Sequence, residues 1–174
     1  MLPGAPGASG RRPLGPRRGR RWGTIGGVSA VPSSEPTEVC PGCGAVLVHV
    51  ADAGPIHPGA SRSCGRLFEV TLRGLREEGA ADAACGAAVR LADAAYDAQH
   101  PVPGDPTRLR AALDRLGASL GGAAAVDGAA PPHAWRTTIA DVAADLDVID
   151  LAVLVESWAR SVRDDWTAAT ATRP

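Results

Sequence analysis

The chain has 174 residues, a length that allows one domain and a tail, and alanine accounts for much of its 45% of apolar residues. A single Phe and a single Tyr leave little large apolar surface for a core of this length. The net charge is −1, but residues 1–22 contain six arginines and no acid, whereas residues 23–174 contain twelve arginines and nineteen acids. The acidity of residues 23–174 argues against nucleic acid as a partner.

Residues 1–37 are rich in Gly, Pro, Arg and Ser and show no apolar periodicity, so we expect a disordered basic tail. The alternative is that the true protein begins near Val28 or Val31. The segment after the paired arginines is too short and too glycine-rich for the apolar part of an export signal. No stretch approaches the roughly 20 apolar residues that span a bilayer. We therefore expect a cytoplasmic protein that makes no membrane contact.

Residues 38–168 are predicted to form one domain, and residues 169–174 a second disordered tail. Good helix formers dominate this region, whereas runs of β-branched and aromatic residues are missing. The expected fold is mainly α, a small helical bundle with an N-terminal zinc-knuckle loop or short hairpin.

The first predicted elements are a strand over residues 46–48 and a helix that begins near Cys64. Ser61 or Ser63 can cap this helix, and Gly79 ends it. The remaining predicted helices run from about Asp82 to Gln99, from Asp105-Pro106 through a leucine stripe to Leu120, from Thr137 or Thr138 to Ala144, and from near Asp147 to about Trp166.

The last predicted helix places two tryptophan rings on one face. Trp158 and Trp166 are eight residues apart and fall into a stripe of apolar residues spaced by three and four. We interpret both rings as core residues; the alternative is a platform for a ligand.

The clearest chemical motif is Cys40-Pro-Gly-Cys43, followed by Gly44. Two thiolates separated by two residues, with glycine after the second, form the loop that wraps a tetrahedral zinc ion. The rival interpretation is a redox dithiol, which usually sits at a helix N-terminus. The proline and glycines here favour a turn. A pair supplies half of a zinc site, so about two more ligands are needed.

Three residues further along the chain are candidates for the missing ligands. Cys64 would lie at a helix entrance, where the helix dipole favours a thiolate. His57 lies in a turn between Ile56 and Pro58. His100 ends the second predicted helix, where it could be a ligand, a base oriented by Asp93 or Tyr96, or a residue that only satisfies helix carbonyls. The residues alone leave these alternatives open.

A family resemblance rests on the order of these motifs. Cys-Pro-Gly-Cys-Gly-Ala at 40–45, His57 before Cys64, the run from Asp93 to Pro101 and the closing run from Trp158 to Trp166 together resemble a bacterial family of uncharacterised proteins, the domain of unknown function 5946. The resemblance covers about residues 38–168. The family has Trp after the helix-entrance cysteine, where this chain has Gly65, and often a histidine near the position of Val89.

The resemblance implies a single site but no activity or substrate. It groups as metal ligands Cys40, Cys43, His57, Cys64 and His100, with Asp93, Tyr96 and Gln99 as candidates to support them.

Three functions follow from these residues. The first is a domain with a structural zinc ion that serves as a binding or scaffold module, with a protein as the partner left open. The second is a metal-dependent enzyme of hydrolase type, in which His100 acts with Asp93 or Tyr96. The third is a thiol-redox or metal sensor. Thiolate-rich zinc sites are usually structural, which favours the first.

Overall fold

The computed structural model describes residues 35–51, 57–122 and 130–171. Within these residues the chain is mostly helical, with one small hairpin near its N-terminal end, which confirms the predicted fold class. No helix in the described ranges is both long and apolar enough to cross a bilayer. The elements are β1 (Thr37–Val39), β2 (Val46–Val48), α1 (Arg62–Glu78), α2 (Ala83–Gln99), α3 (Pro106–Leu120), α4 (Ile139–Ala144) and α5 (Leu151–Ala171).

The first three helices begin where short polar side chains cap them. Ser61 accepts a hydrogen bond from the N–H of Cys64 at the start of α1, and Asp82 does the same for α2. Asp105 caps α3, and Pro106 occupies the first turn. The predicted starts of these helices are therefore confirmed.

The last helix differs from its prediction at both ends. It begins at Leu151 rather than near Asp147, because residues 145–149 form a turn and the carboxylate of Asp150 accepts the first free N–H groups. It continues to Ala171, so residues 169–171 are helical and do not belong to a disordered tail.

The predicted N-terminal tail falls largely outside the described residues. Its last residue, Thr37, is the first residue of β1, and residues 1–34 lie outside the ranges that the structure describes. No strand is predicted before the cysteine loop, because three residues are too short to show an alternating pattern.

The hairpin is fastened to the N-terminus of α1. β1 and β2 are antiparallel, with Glu38 opposite Leu47. The Glu38 carboxylate accepts the N–H of Ser63 at 2.8 Å, and the Ser63 hydroxyl accepts the N–H of Val50 at 2.9 Å. An acidic group at a helix N-terminus satisfies free donors and interacts favourably with the helix dipole. The loop between the strands is thereby held over α1.

The core is centred on α2, which packs against α1, α3 and α5. Trp158 and Trp166 are fully buried, which confirms their predicted role in the core. The indole N–H of Trp158 donates to Gln99 Oε1 at 3.1 Å, and that of Trp166 donates to the carbonyl of Ala98 at 3.1 Å. Gln99 Nε2 in turn donates to the carbonyl of Thr137 at 2.7 Å. Both rings therefore hold the last turn of α2.

We expect Trp166→Phe to destabilise the protein by about 1–3 kcal/mol, because it leaves the buried carbonyl of Ala98 without its donor and removes packed volume. Urea unfolding followed by circular dichroism measures the loss. The control is Val153→Ala, since Val153 is 59% exposed and its truncation should change stability by less than about 0.5 kcal/mol. Equal effects of the two substitutions would contradict the role assigned to the indole.

Candidate metal centre

Three cysteines and one histidine from separate parts of the chain meet in the interior. The side chains are Cys40 and Cys43 from the loop between β1 and β2, Cys64 from the first turn of α1, and His100 at the end of α2. All four are buried, and their four ligand atoms lie within 4.8 Å of one another. A buried Cys3His group of this size could hold a metal ion.

The loop that carries the cysteine pair is a tight turn. The N–H of Cys40 donates to the carbonyl of Ala45, and the N–H of Gly44 donates to the carbonyl of Cys40, both at 2.9 Å. Gly44 has a φ of 75°, a left-handed conformation that glycine adopts without strain. The pair thus lies in a turn and not at a helix N-terminus, the geometry that favours a metal ligand over a redox dithiol.

Backbone donors and short sulphur contacts surround the thiols. Cys64 Sγ lies 3.8 Å from Cys43 Sγ and 3.5 Å from His100 Nε2. The N–H of Ser61 points at Cys40 Sγ from 3.4 Å. A donor aimed at a sulphur stabilises its thiolate form, which is the form that binds metal.

The orientation of His100 is set by its own helix. Its Nδ1 donates to the carbonyl of Tyr96 at 2.7 Å, which leaves Nε2 unprotonated and facing Cys64. A histidine that binds metal typically donates its other nitrogen to a carbonyl or carboxylate in this way. The Tyr96 ring lies against the imidazole, with centroids 4.1 Å apart.

The three thiols strongly influence one another's ionisation. Hydrogen bonds from Cys43 and Cys64 hold the pKa of Cys40 well below its usual range. The hydrogen bond to Cys40, together with burial, raises the pKa of Cys43 to about 12. The contacts of Cys64 with Cys40 and Cys43, and then burial, raise its pKa as well. Three buried sulphurs this close together oppose one another's ionisation, and a bound divalent cation would offset that repulsion.

His57 lies beside this group but is not part of it. Its Nε2 donates to Asp97 Oδ1 at 3.1 Å, and its Nδ1 accepts the N–H of Gly59 at 3.2 Å. Its ring centroid is 5.7 Å from that of His100. Both ring nitrogens are thus occupied by contacts that hold residues 57–59 against α2.

Of the three residues predicted to support the ligands, Asp93, Tyr96 and Gln99, the structure places only Tyr96 in contact with His100 among the described contacts. Tyr96 contacts His100 through its carbonyl and its ring. Asp93 instead forms a surface ion pair with Arg76. Gln99 contacts Trp158 and the chain before α4. Among the described contacts, the carbonyl of Tyr96 orients the imidazole, and Asp93 is engaged by Arg76.

Asp97 is a charged residue beside the site that is not among the residues predicted from the sequence. It accepts hydrogen bonds from His57, from Arg108 at 2.8 Å and from Arg115 at 2.9 Å. The sequence offered one signal for these contacts. Arg108 and Arg115 are seven residues apart and therefore lie on one face of α3, and Asp97 is four residues from Asp93 on α2.

Two glycines allow the cysteine loop to approach the end of α2. A Cβ atom on Gly42 would lie 2.5 Å from His100 Cδ2 and 2.5 Å from the carbonyl oxygen of Gly59. A Cβ atom on Gly59 would collide with the carbonyl of His100. Trp135 closes the same region by donating its indole N–H to the carbonyl of Gly42 at 3.0 Å. Any larger residue at Gly42 or Gly59 would push the loop away from the imidazole.

The fold and site define a helical protein with a buried Cys3His group suited to a metal ion. The family described as a family of unknown function (DUF5946) matches residues 38–129 and 118–167, and the chain belongs to that family. This confirms the family resemblance of the sequence motifs. No curated protein and no solved structure matches the chain.

We expect Gly42→Ala to displace the cysteine loop from His100, because the added methyl group would lie closer than van der Waals contact allows. The substitution should destabilise the protein by about 1–3 kcal/mol and weaken metal retention. The matched control is Gly74→Ala in α1, where nothing lies within 4 Å of the new methyl group. That change should stabilise the protein by about 0.5–1 kcal/mol. Thermal unfolding and metal analysis measure both, and a shared sign would contradict the packing argument.

Proposed function

We propose that residues 38–168 form a zinc-binding helical domain in which the metal is structural, and that the domain acts as a binding or scaffold module. The observation that carries the proposal is the spacing of the ligand atoms of Cys43, Cys64 and His100, with all four ligand atoms within 4.8 Å of one another. Zinc–sulphur bonds of about 2.3 Å at tetrahedral angles separate two sulphurs by about 3.8 Å, and a sulphur and a nitrogen by about 3.5 Å. Cys43 and Cys64 lie 3.8 Å apart, and Cys64 and His100 lie 3.5 Å apart.

The choice of zinc follows from the chemistry of the donors. Three sulphurs and one imidazole nitrogen are soft ligands, which suit zinc and exclude magnesium and calcium, both of which take oxygen ligands. When bound, the ion would be held by Cys40, Cys43, Cys64 and His100 and would neutralise the crowded thiolates. The bond from His100 to the Tyr96 carbonyl supports the same set, because it leaves Nε2 free to bind metal.

A structural role follows from the position of the four residues. They join the hairpin loop, the start of α1 and the end of α2, and the core beneath them is rich in alanine. Alanine buries little apolar area, so a cross-link between three elements would contribute a large share of the stability. Four protein ligands also leave no open position at which a water could be activated.

The hydrolase alternative receives no support from these contacts. His100 uses Nδ1 on the Tyr96 carbonyl and turns Nε2 toward the cysteines, so neither nitrogen is available as a base. Asp93, the proposed partner of that base, is paired with Arg76. We place the domain in the cytoplasm, where a reducing environment keeps the four cysteines as the thiols present in the structure.

Purified protein should contain about one zinc ion per chain and should lose its fold when a strong chelator removes the ion. Before chelation, a thiol reagent should modify Cys85, which is partly exposed at the start of α2, and spare the three cysteines of the cluster. After chelation all four should react. Metal analysis and thiol titration measure the two quantities; four reactive thiols in metal-replete protein would refute the zinc site.

His100→Ala and His57→Ala distinguish the two candidate histidines. Loss of a direct ligand should weaken zinc affinity by more than about 100-fold, since loss of an outer contact alone typically costs 10–100-fold. His57→Ala should weaken it by less than about 10-fold, because both nitrogens of His57 bind the protein. Competition with a zinc-sensitive dye measures both affinities, and the reverse order would assign the fourth position to His57.

A further inference from the structure

The hydroxyl of Tyr96 is a buried donor without a partner. Among the buried nitrogen and oxygen atoms of the described side chains, it is the only one that makes no hydrogen bond. The residue as a whole is 4% exposed, so solvent does not supply an acceptor. A buried hydroxyl without a partner is costly, and native proteins contain few of them. An acceptor next to the hydroxyl would remove that cost.

The hydroxyl lies at the first turn of α1, beside Cys64. A Cβ atom added at Gly65, the residue after Cys64, would lie 3.7 Å from the hydroxyl oxygen. Burial, followed by the charge of the neighbouring Cys64, raises the pKa of Tyr96. The hydroxyl therefore keeps its proton near neutral pH and can donate it to an acceptor. The sulphur of Cys64 is an acceptor of this kind when it is a thiolate.

Three neighbouring rings fix the position of this hydroxyl. The ring of Tyr96 stacks on that of Phe68, with centroids 4.0 Å apart and planes at 14°. The imidazole of His100 lies 4.1 Å from it, and that of His57 meets it edge-on at 5.4 Å. Because close packing resists movement of the ring, the oxygen is held beside Cys64 and only the O–H bond can rotate.

The three sulphurs of the cluster differ in the donors that face them. The N–H of Ser61 points at Cys40 Sγ from 3.4 Å, and the backbone N–H of Ala45 faces Cys43 Sγ. No N–H group of the described residues donates to Cys64 Sγ, whose contacts are with two ligand atoms of the cluster. The sulphur without an N–H donor is thus the one beside the unpartnered hydroxyl.

The charge of a loaded metal centre gives this donor a role. The two positive charges of a zinc ion do not neutralise three thiolates, so the centre formed by the three cysteines and His100 would be anionic. A buried charge is costly unless hydrogen bonds compensate it. Hydrogen bonds to ligand atoms typically contribute 10–100-fold in metal affinity. A donor at each sulphur therefore favours retention of the ion.

We propose that Tyr96 is a positioning residue of the metal centre, whose hydroxyl donates a hydrogen bond to Cys64 Sγ when this sulphur binds the ion as a thiolate. The carbonyl of the same residue already accepts a hydrogen bond from His100 Nδ1. Tyr96 would thus support two of the four ligands, one through its backbone and the other through its side chain. The proposal rests on the zinc site proposed above and deepens it, because it assigns the residue that stabilises one thiolate.

The experiment compares the full chain with Tyr96→Phe, which removes the hydroxyl and keeps the ring. Cobalt(II) is the probe, because its sulphur-to-metal charge-transfer band moves to higher energy when a donor stabilises the ligand sulphur. We expect Tyr96→Phe to shift this band to lower energy and to weaken zinc affinity about tenfold in competition with a zinc-sensitive dye. A band that does not move would overturn the proposal whatever the affinity, because altered packing alone can weaken metal binding.

The matched control is Phe68→Leu, which changes the packing of the Tyr96 ring and leaves the hydroxyl in place. This substitution should lower the melting temperature of the zinc-loaded protein, because packed volume is lost, and should leave the charge-transfer band where it is. If Phe68→Leu shifted the band as far as Tyr96→Phe does, ring packing and not the hydroxyl would set the spectrum, and the proposal would be wrong.

A second measurement decides the matter even if Tyr96→Phe does not fold. Tyr96 is the only tyrosine of the chain, so biosynthetic incorporation of 3-fluorotyrosine changes this position alone. Fluorine makes the phenol a stronger hydrogen-bond donor, and the band should therefore move to higher energy; no shift, or the opposite one, would contradict the proposal. An unmodified chain that shows no such band with cobalt would instead refute the zinc site itself, and this proposal with it.

Discussion

The structure depends on the burial of the last turn of α2. Its polar groups are satisfied by distant elements: Trp166 donates to the Ala98 carbonyl, and Trp158 and the chain before α4 bind the side chain of Gln99. His100, the next residue, donates to the Tyr96 carbonyl. Since the carbonyls of Tyr96 and Ala98 and the side chain of Gln99 all have partners, the imidazole has little freedom to move. Its Nε2 is therefore already aimed at the cysteines before any metal arrives.

Polar and steric complementarity positions the hairpin loop, together with the burial of Cys40, Cys43 and Ala45. Glu38 holds the strands over the N-terminus of α1, and Trp135 donates to the Gly42 carbonyl. The absence of a side chain at Gly42 lets the loop meet His100 closely. Two strands of three residues each could not keep such a position alone. A metal ion shared between the loop, α1 and α2 would supply the cross-link that an alanine-rich core lacks.

Asp97 links the segment beside the metal-ligand cluster to α3. On one side it fixes His57 and thereby residues 57–59, which pass next to His100. On the other it forms ion pairs with Arg108 and Arg115 of α3. The Tyr96 ring lies between His100 and the ring of Phe68. One carboxylate and one aromatic ring therefore connect the metal-ligand cluster to the packing of α1 and α3.

The sequence by itself determined the mainly α fold, the starts of α1, α2 and α3, the core role of Trp158 and Trp166, and the cysteine motif, because caps, apolar spacing and short motifs are local signals. It also placed Cys40, Cys43, Cys64 and His100 among the ligand candidates. Only the tertiary structure separated His57 from His100, since both occupy plausible local positions and differ in which partners their nitrogens meet. The contacts of Asp97 were likewise decided by packing, because the spacing of Arg108 and Arg115 places them on one face of α3 but does not say which helix that face meets.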